Sequence, residues 1–485
     1  MKPNLLLITV DQMRFDCLSA LGHSVVETPN LDRLARQGVL YSNAYSATPS
    51  CIPARAAIMT GMSQRSHGRV GYLDKVEWRY EHTVAGELAK AGYHTQCVGK
   101  MHVYPARNLC GFHNIVLHDG YTHYNRDKTG TSASEHFNQV DDYLNWLREK
   151  AGAELDMTDL GLDCNASTVA RPWHLPEALH PTNWTVTQSI DFLRRRDPGK
   201  PFFLWSSFVR PHPPFDPPQA YFDMYKDLPM PELPVGDWVD RGAVERSGSD
   251  PTALRGNIPA RRMNRARAAY YALITHLDDQ IGRLLDALQE YGLQRNTIVL
   301  FTSDHGEMMG DHHYFRKALA YEGSAKVPFI LYDPTGALGL KPGYTASEVV
   351  ELRDIMPTLL EAAGAPIPES VEGRSVASVG AGQAADWRAY IHGEHAYGDL
   401  SNHYATDGRM KYIWYSQTGE EQLFDLASDP QEKHNLANDA ERADELQVWR
   451  KRVIKELEGR EEGYVREGEL VVGRKPVACL SFLRS

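Results

Sequence analysis

Residues 3–12 read PNLLLITVDQ and residues 297–307 read TIVLFTSDHGE. Each is an apolar, β-branched run that stops on an aspartate, Asp11 in the first and Asp304 in the second. A continuous apolar run of this length, without polar alternation, predicts a strand buried on both faces. Such strands belong to parallel sheets covered by helices on either side. Ligands of such sheets gather at the carboxyl ends of the strands. Two aspartates that each close a buried strand are therefore expected to meet at one edge, although most of the chain lies between them.

The segments around these two strands agree. Asn30 precedes LDRLARQGV, a helix with Asn30 as N-cap and Gly38 near its end. Residues 54–60 predict a helix just after Pro53, and 83–91 a helix followed by the strand HTQCVG. Residues 134–150 and 184–195 read as helices, and PFFLWSSFV after the second as a buried strand. Leu273, Ile274, Leu277, Ile281, Leu284, Leu285 and Leu288 recur at helical spacing and predict a long helix over 262–290. VPFILY (327–332) reads as a strand and 352–363 as a helix. Residues 211–260, rich in Pro, Gly and Asp, predict a long functional loop. The fold class that follows is α/β, a large mostly parallel sheet sandwiched by helices. Gly, Ala, Pro and Ser dominate 365–385, which places a boundary near residue 375. The expected units are an α/β domain over 1–375 and a smaller C-terminal α+β subdomain over 376–485. The second holds the strands MKYIWY and EQLFDL and a charged helix at 439–458.

Composition removes whole classes of function. A net charge of -11 argues against nucleic acid as a partner, so any anion site must be a local positive pocket. Six cysteines (Cys17, Cys51, Cys97, Cys110, Cys164 and Cys479) without repeated spacing do not make a disulfide framework. No apolar stretch approaches the roughly 20 residues of a membrane span. The run Leu5–Val10 is too short for a signal-peptide core, so the cytoplasm is the expected location. Asn165-Ala-Ser and Asn183-Trp-Thr match the glycosylation pattern and, without a secretory route, read as chance. The apolar tail VACLSFLRS (477–485) suits docking on its own domain or on a second copy, which leaves a homo-oligomer open.

The chemistry begins at Cys51-Ile-Pro-Ala-Arg55. This resembles the sulfatase signature C-x-P-x-R, in which the cysteine is oxidised to formylglycine by a separate formylglycine-generating enzyme or anaerobic maturase. The resemblance continues in order through PNLLLITVDQ, TPNLDRLARQGVLYSNAY, VGKMH, VRPHPPF, FTSDHGEMMGDHHYFRK and the C-terminal KYIWYSQTGEEQLFDLASDPQEKHNL. It implies an alkaline-phosphatase-like fold and a small anionic sulfate ester, alkyl, aryl or sugar, as substrate.

The resemblance also implies roles. One divalent metal, Ca2+ by family default with Mn2+ or Mg2+ as alternatives, would be held by Asp11, Asp304, His305 and the oxidised Cys51. Lys100 and Lys317 would hold sulfate oxygens. His212 or Lys317 would protonate the leaving alcohol, His102 would take a proton from residue 51, and Arg55 would reach back toward it. Elementary chemistry points the same way. Attack on a sulfate monoester needs charge neutralisation, which a hard cation with oxygen ligands supplies. A hydrated aldehyde has one hydroxyl to attack sulfur and a second whose deprotonation expels sulfate. A helix N-terminus beside residue 51 favours developing negative charge.

Two departures resemble the choline-sulfatase and phosphonate monoester hydrolase branches. Gln12 stands where many sulfatases have a second Asp, and His305 where many have Asn. Gln12 can offer a carbonyl oxygen to the metal or an amide to the substrate. Lys100 and His102 look like the sulfatase type. A phosphonate monoester or phosphodiester hydrolase using the same machinery is the alternative enzyme, and a binding protein that keeps the fold without catalysis is the third reading. No aromatic cage is marked, so choline sulfate is not favoured. Candidate walls for the leaving group are the 211–260 loop, His312, His313 and the IHGEHAYGD segment (391–399) with Glu394 and His395.

Overall fold

The computed structural model describes residues 2–120 and 140–484. The strands, in chain order, begin with β1 (Asn4–Asp11), β2 (Val39–Tyr41), β3 (Ala44–Tyr45), β4 (His94–Gly99) and β5 (Asn114–Leu117). They continue with β6 (Phe202–Pro211), β7 (Thr297–Ser303), β8 (Lys326–Val327), β9 (Phe329–Tyr332), β10 (Tyr344–Ala346) and β11 (Val350–Glu351). Eight of them form one sheet in the order β10-β2-β9-β7-β1-β6-β4-β5. All are parallel except β9, which runs against both β2 and β7.

The side-chain alternation of β1 shows how the sheet is buried. Leu5 and Leu7 join one core with Phe203, Trp205, Leu300 and the Cys51–Thr60 helix. Leu6, Ile8 and Val10 join another with Leu204, Phe301 and the long helix Ala260–Glu290. Every residue of β1, β6 and β7 is buried, as unalternating apolar strands require. Fold class and helix sandwich thus match the expectation.

Several local expectations change. The helix expected over 54–60 starts three residues earlier, at Cys51, with Pro53 inside its first turn, where a proline costs no intrahelical hydrogen bond. The N-cap of the Pro29–Gln37 helix is Thr28, not Asn30. Asp278 of the long helix accepts the amides of Asn30 and Leu31 at 2.9 and 2.8 Å, so a distant carboxylate satisfies this helix end. Residues 134–139 lie outside the described residues, and the helix there spans Asp142–Ala151. The 211–260 stretch contains the helices Gln219–Tyr225 and Arg241–Ser247 rather than unbroken loop. Pro328 splits VPFILY into β8 and β9, which belong to different sheets.

The C-terminal strands β12 (Ile391–His395), β13 (Asn402–Thr406), β14 (Met410–Tyr415) and β15 (Glu421–Asp425) form an antiparallel sheet in that order. One face packs Tyr412, Trp414 and Leu423 on Trp449, Val453 and Leu457 of the Ala443–Leu457 helix. The other packs Tyr404, Ile413 and Phe424 on Tyr45, Met308 and Tyr321, so this sheet shares a core with the larger unit. The apolar tail docks on its own chain, where Leu480 N donates to Gly68 O and Val70 N to Ala478 O. Among the described residues no helix is long and apolar enough to cross a membrane.

Candidate active site

Four neighbouring parallel strands, β7-β1-β6-β4, deliver their carboxyl ends to one edge of the sheet. Asp11 ends β1, and Asp304 follows β7 with its amide on Val10 O at 3.1 Å. His212 follows β6, and Lys100 and His102 follow β4. The chain turns sharply there: Gln12 and His102 have φ of 72° and 56°, a region that non-glycine residues rarely adopt. Side chains hold these turns. Gln12 N donates to Asp304 Oδ1 at 3.2 Å, and Tyr270 Oη donates to Gln12 O at 2.7 Å. Asp119 Oδ1 accepts the amides of both Met101 and His102, at 2.9 and 3.0 Å.

Cys51 opens its helix over these strand ends. Ser50, the preceding residue, is extended, and no side chain caps the first turn. The Ser50 hydroxyl lies 2.8 Å from His395 Nε2 instead. Cys51 Sγ is 3.3 Å from both His305 Nε2 and Lys317 Nζ, 3.6 Å from Lys100 Nζ, and 3.6 and 3.7 Å from the two Asp11 oxygens. One ligand atom each from Asp11, Cys51, Asp304 and His305 lies within 4.8 Å of the others, and all four residues are buried. The expected donors are therefore brought together.

The electrostatics show what such a cluster needs. Two buried carboxylates this close repel unless cations sit between them. Arg55 Nε pairs with Asp304 Oδ2 at 3.1 Å, while its NH1 donates to Lys100 O at 2.6 Å and Ser207 Oγ at 2.9 Å. Lys100 pairs with Asp11. Burial raises Asp11, but the cations beside it, Lys100 first, outweigh this and hold the carboxyl well below its usual range. Burial and Asp11 push the Cys51 thiol up, yet Lys100, Lys317 and His305 bring it net below its ordinary value. Burial lowers His305, but Asp304 overrides this and raises it to about 9. An imidazole held in its charged form by carboxylates occupies a place where positive charge is favoured. With His305 Nδ1 2.9 Å from Gly306 O, its Nε2 is the nitrogen turned to Asp11, Asp304 and Cys51. Two carboxylates, one imidazole and position 51 fit a divalent cation.

Around this cluster lie the remaining candidates. Lys317 Nζ is also 2.8 Å from Gln12 Oε1, and the Gln12 amide donates to Glu307. His212 donates from Nδ1 to Pro213 O at 2.8 Å, and burial together with Lys317 keeps its ring well below the usual value and neutral. A cavity of about 450 Å3 opens over Cys51, walled by His102, His212, Lys317 and His395. Of the 211–260 stretch, His212 and Leu254 line it. His312 does not: it bonds Gly236 N at 3.0 Å and packs on Trp238. Glu394 pairs instead with Arg460 at 2.7 Å.

Sequence reasoning missed Tyr72, Asp74, Cys164, Asn165 and Arg316 in the cavity wall, which Tyr397 joins from the 391–399 segment. Asn165 stood in a glycosylation pattern, and Tyr72 carries no motif. Glu307, which also accepts the Met309 amide at 3.0 Å, sat unremarked inside the SDHGE motif.

Residues 3–365 match the sulfatase family model. The chain belongs to the sulfatase family. Residues 310–459 of this sulfatase also match the model described as N-sulphoglucosamine sulphohydrolase, C-terminal. It is 58% identical over 484 residues to an arylsulfatase of Clostridium perfringens, covering 100% of both chains. It is 30% identical to a choline-sulfatase of Rhizobium meliloti, over 90% of this chain and 82% of the relative. A phosphonate monoester hydrolase of Agrobacterium radiobacter superposes with a TM-score of 0.72 at 26% identity, covering 94% of this chain and 95% of that one. The sulfatase is a sulfuric ester hydrolase that cleaves sulfate monoesters, and its kinship to phosphonate hydrolases is the more distant one.

Proposed function

We propose that this sulfatase hydrolyses aryl sulfates with residue 51, matured from cysteine to formylglycine, as nucleophile. The observation that carries the reading is the placing of Cys51 Sγ at a helix N-terminus, 3.3 Å from both His305 and Lys317. As formylglycine, residue 51 supplies a hydrated aldehyde with one hydroxyl for attack and one for release. A divalent cation, Ca2+ by family default, would be held by Asp11, Asp304, His305 and residue 51, and supplies Lewis-acid stabilisation of the sulfate oxygens.

The chain's own residues do the rest. Lys100 and Lys317, 3.6 and 3.3 Å from Cys51 Sγ, neutralise the sulfate, an anion the net charge of -11 does not attract at a distance. The Gln12 carbonyl fixes the Lys317 ammonium, and Glu307 fixes Gln12. Lys317, an ammonium facing the cavity, can hand a proton to the leaving oxygen, whereas His212, neutral with its Nδ1 proton on Pro213 O, does so only after taking one up at Nε2. His102, on its strained turn over Asp119, takes the proton whose loss frees sulfate. Tyr72, Leu254 and Tyr397 give the cavity an apolar rim that suits an aryl group, as does the arylsulfatase relative. Six unpaired cysteines suit a reducing, cytoplasmic setting, and a formylglycine-generating or anaerobic maturation enzyme is the implied partner.

Steady-state kinetics on 4-nitrophenyl sulfate and on a 4-nitrophenyl phosphonate monoester test this reading. The expected result is a higher kcat/KM on the sulfate. Faster turnover of the phosphonate overturns the assignment in favour of the other branch.

A further inference from the structure

A second constellation of metal-binding side chains lies on the C-terminal sheet, outside the site just described. Glu394 of β12 and His403 of β13 are directly paired across the strands, and His392 lies two residues before Glu394 on the same face. One ligand atom from each of the three lies within 4.8 Å of the others. The register of two hydrogen-bonded strands fixes this spacing, not a mobile loop.

The polar accounting is incomplete as it stands. His403 is only 2% exposed, and its Nδ1 has no hydrogen-bond partner, 3.7 Å from Glu394 Oε2. His392 Nε2 is a second buried nitrogen without a partner. Buried imidazole nitrogens are ordinarily satisfied, so two at one place call for a missing group. Arg460 donates to Glu394 Oε1 at 2.7 Å but is matched by Glu462, also at 2.7 Å, so one negative charge remains over. Two unpartnered imidazole nitrogens beside a surplus carboxylate charge suit a cation and not an anion.

We propose that His392, Glu394 and His403 bind a borderline divalent transition metal, with Zn2+ as the probe. Two imidazoles and one carboxylate suit zinc better than calcium, which prefers six to eight oxygens. Gln64 Nε2 donates to His392 O at 3.0 Å and lies 3.1 Å from His392 Nδ1, so a metal on Nε2 would take the place of the ring proton there and turn the Gln64 amide to offer its oxygen to Nδ1. His392, alone of the three, borders a cavity it shares with Gln64, Glu456 and Arg353, the side from which a metal would enter. The metal would tie β12 to β13 directly before His395, the residue that holds Ser50 in front of Cys51.

The test uses calcium-loaded protein exposed to Zn2+, freed of excess by gel filtration and assayed by elemental analysis. The expected result is one zinc per chain in the wild type and none in His392→Ala, with aryl sulfate turnover unchanged. His392→Gln, close in size, gives the same reading if the alanine variant does not fold. Equal zinc contents in wild type and the His392 variants, whether none or one, overturn the proposal. Zinc that is lost in Asp304→Asn but kept in His392→Ala also overturns it, because that metal would sit at the active site.

Discussion

Cys51→Ala abolishes aryl sulfate hydrolysis while the fold stays intact. The expected loss in kcat is on the order of 10^4-fold or more, as for removal of other covalent nucleophiles. The substitution deletes one sulfur from a site already crowded by Asp11, His305, Lys100 and Lys317, and it leaves the helix dipole and both lysines in place. Alanine is a good helix former in the first turn, so far-UV circular dichroism and thermal melting should match the wild type. Turnover within tenfold of the wild type would remove residue 51 from the mechanism.

Arg55→Leu produces the largest expected change in stability. Arg55 is fully buried and ties the Asp304 carboxylate, the Lys100 carbonyl and Ser207 into one network. Removing it leaves the Asp304 carboxylate with His305 as its remaining positive neighbour, and breaking a buried pair on one side costs about 3–5 kcal/mol. A divalent cation on the same carboxylate supplies part of the missing charge, so the loss should be greater in a chelator than with bound metal. Denaturant unfolding with and without EDTA measures both arms. A variant as stable as the wild type, or one insensitive to chelation, contradicts the charge balance described for the site.

Much of this was legible in the sequence because of one physical regularity. A strand buried on both faces must be apolar, so the first polar residue after it marks where the strand leaves the sheet. Asp11 and Asp304 were readable in that way, and the parallel topology then required them to meet. The C-x-P-x-R spacing put Cys51 and Arg55 a helical turn apart, and the structure has them so.

What escaped depended on partners remote in sequence. Asp278 ends the Pro29–Gln37 helix from 248 residues away, which no local capping rule sees. Asp119 fixes the turn at His102 without belonging to any motif. Pro328 divides an apolar run that periodicity reads as one strand. Tyr72 reaches the cavity from a loop, where neither period nor spacing carries information. His312 follows the metal motif closely in the chain, yet the positive φ of 54° at that residue turns it to Trp238.

The central claim is that position 51, converted to an aldehyde, is the reacting group of this site. Mass spectrometry of the peptide spanning residue 51, from protein co-expressed with a maturation enzyme, tests it most directly. The account predicts a peptide lightened by the exchange of sulfur for oxygen and the loss of two hydrogens, in proportion to specific activity across preparations. Full activity in protein whose residue 51 is wholly unmodified cysteine would contradict it.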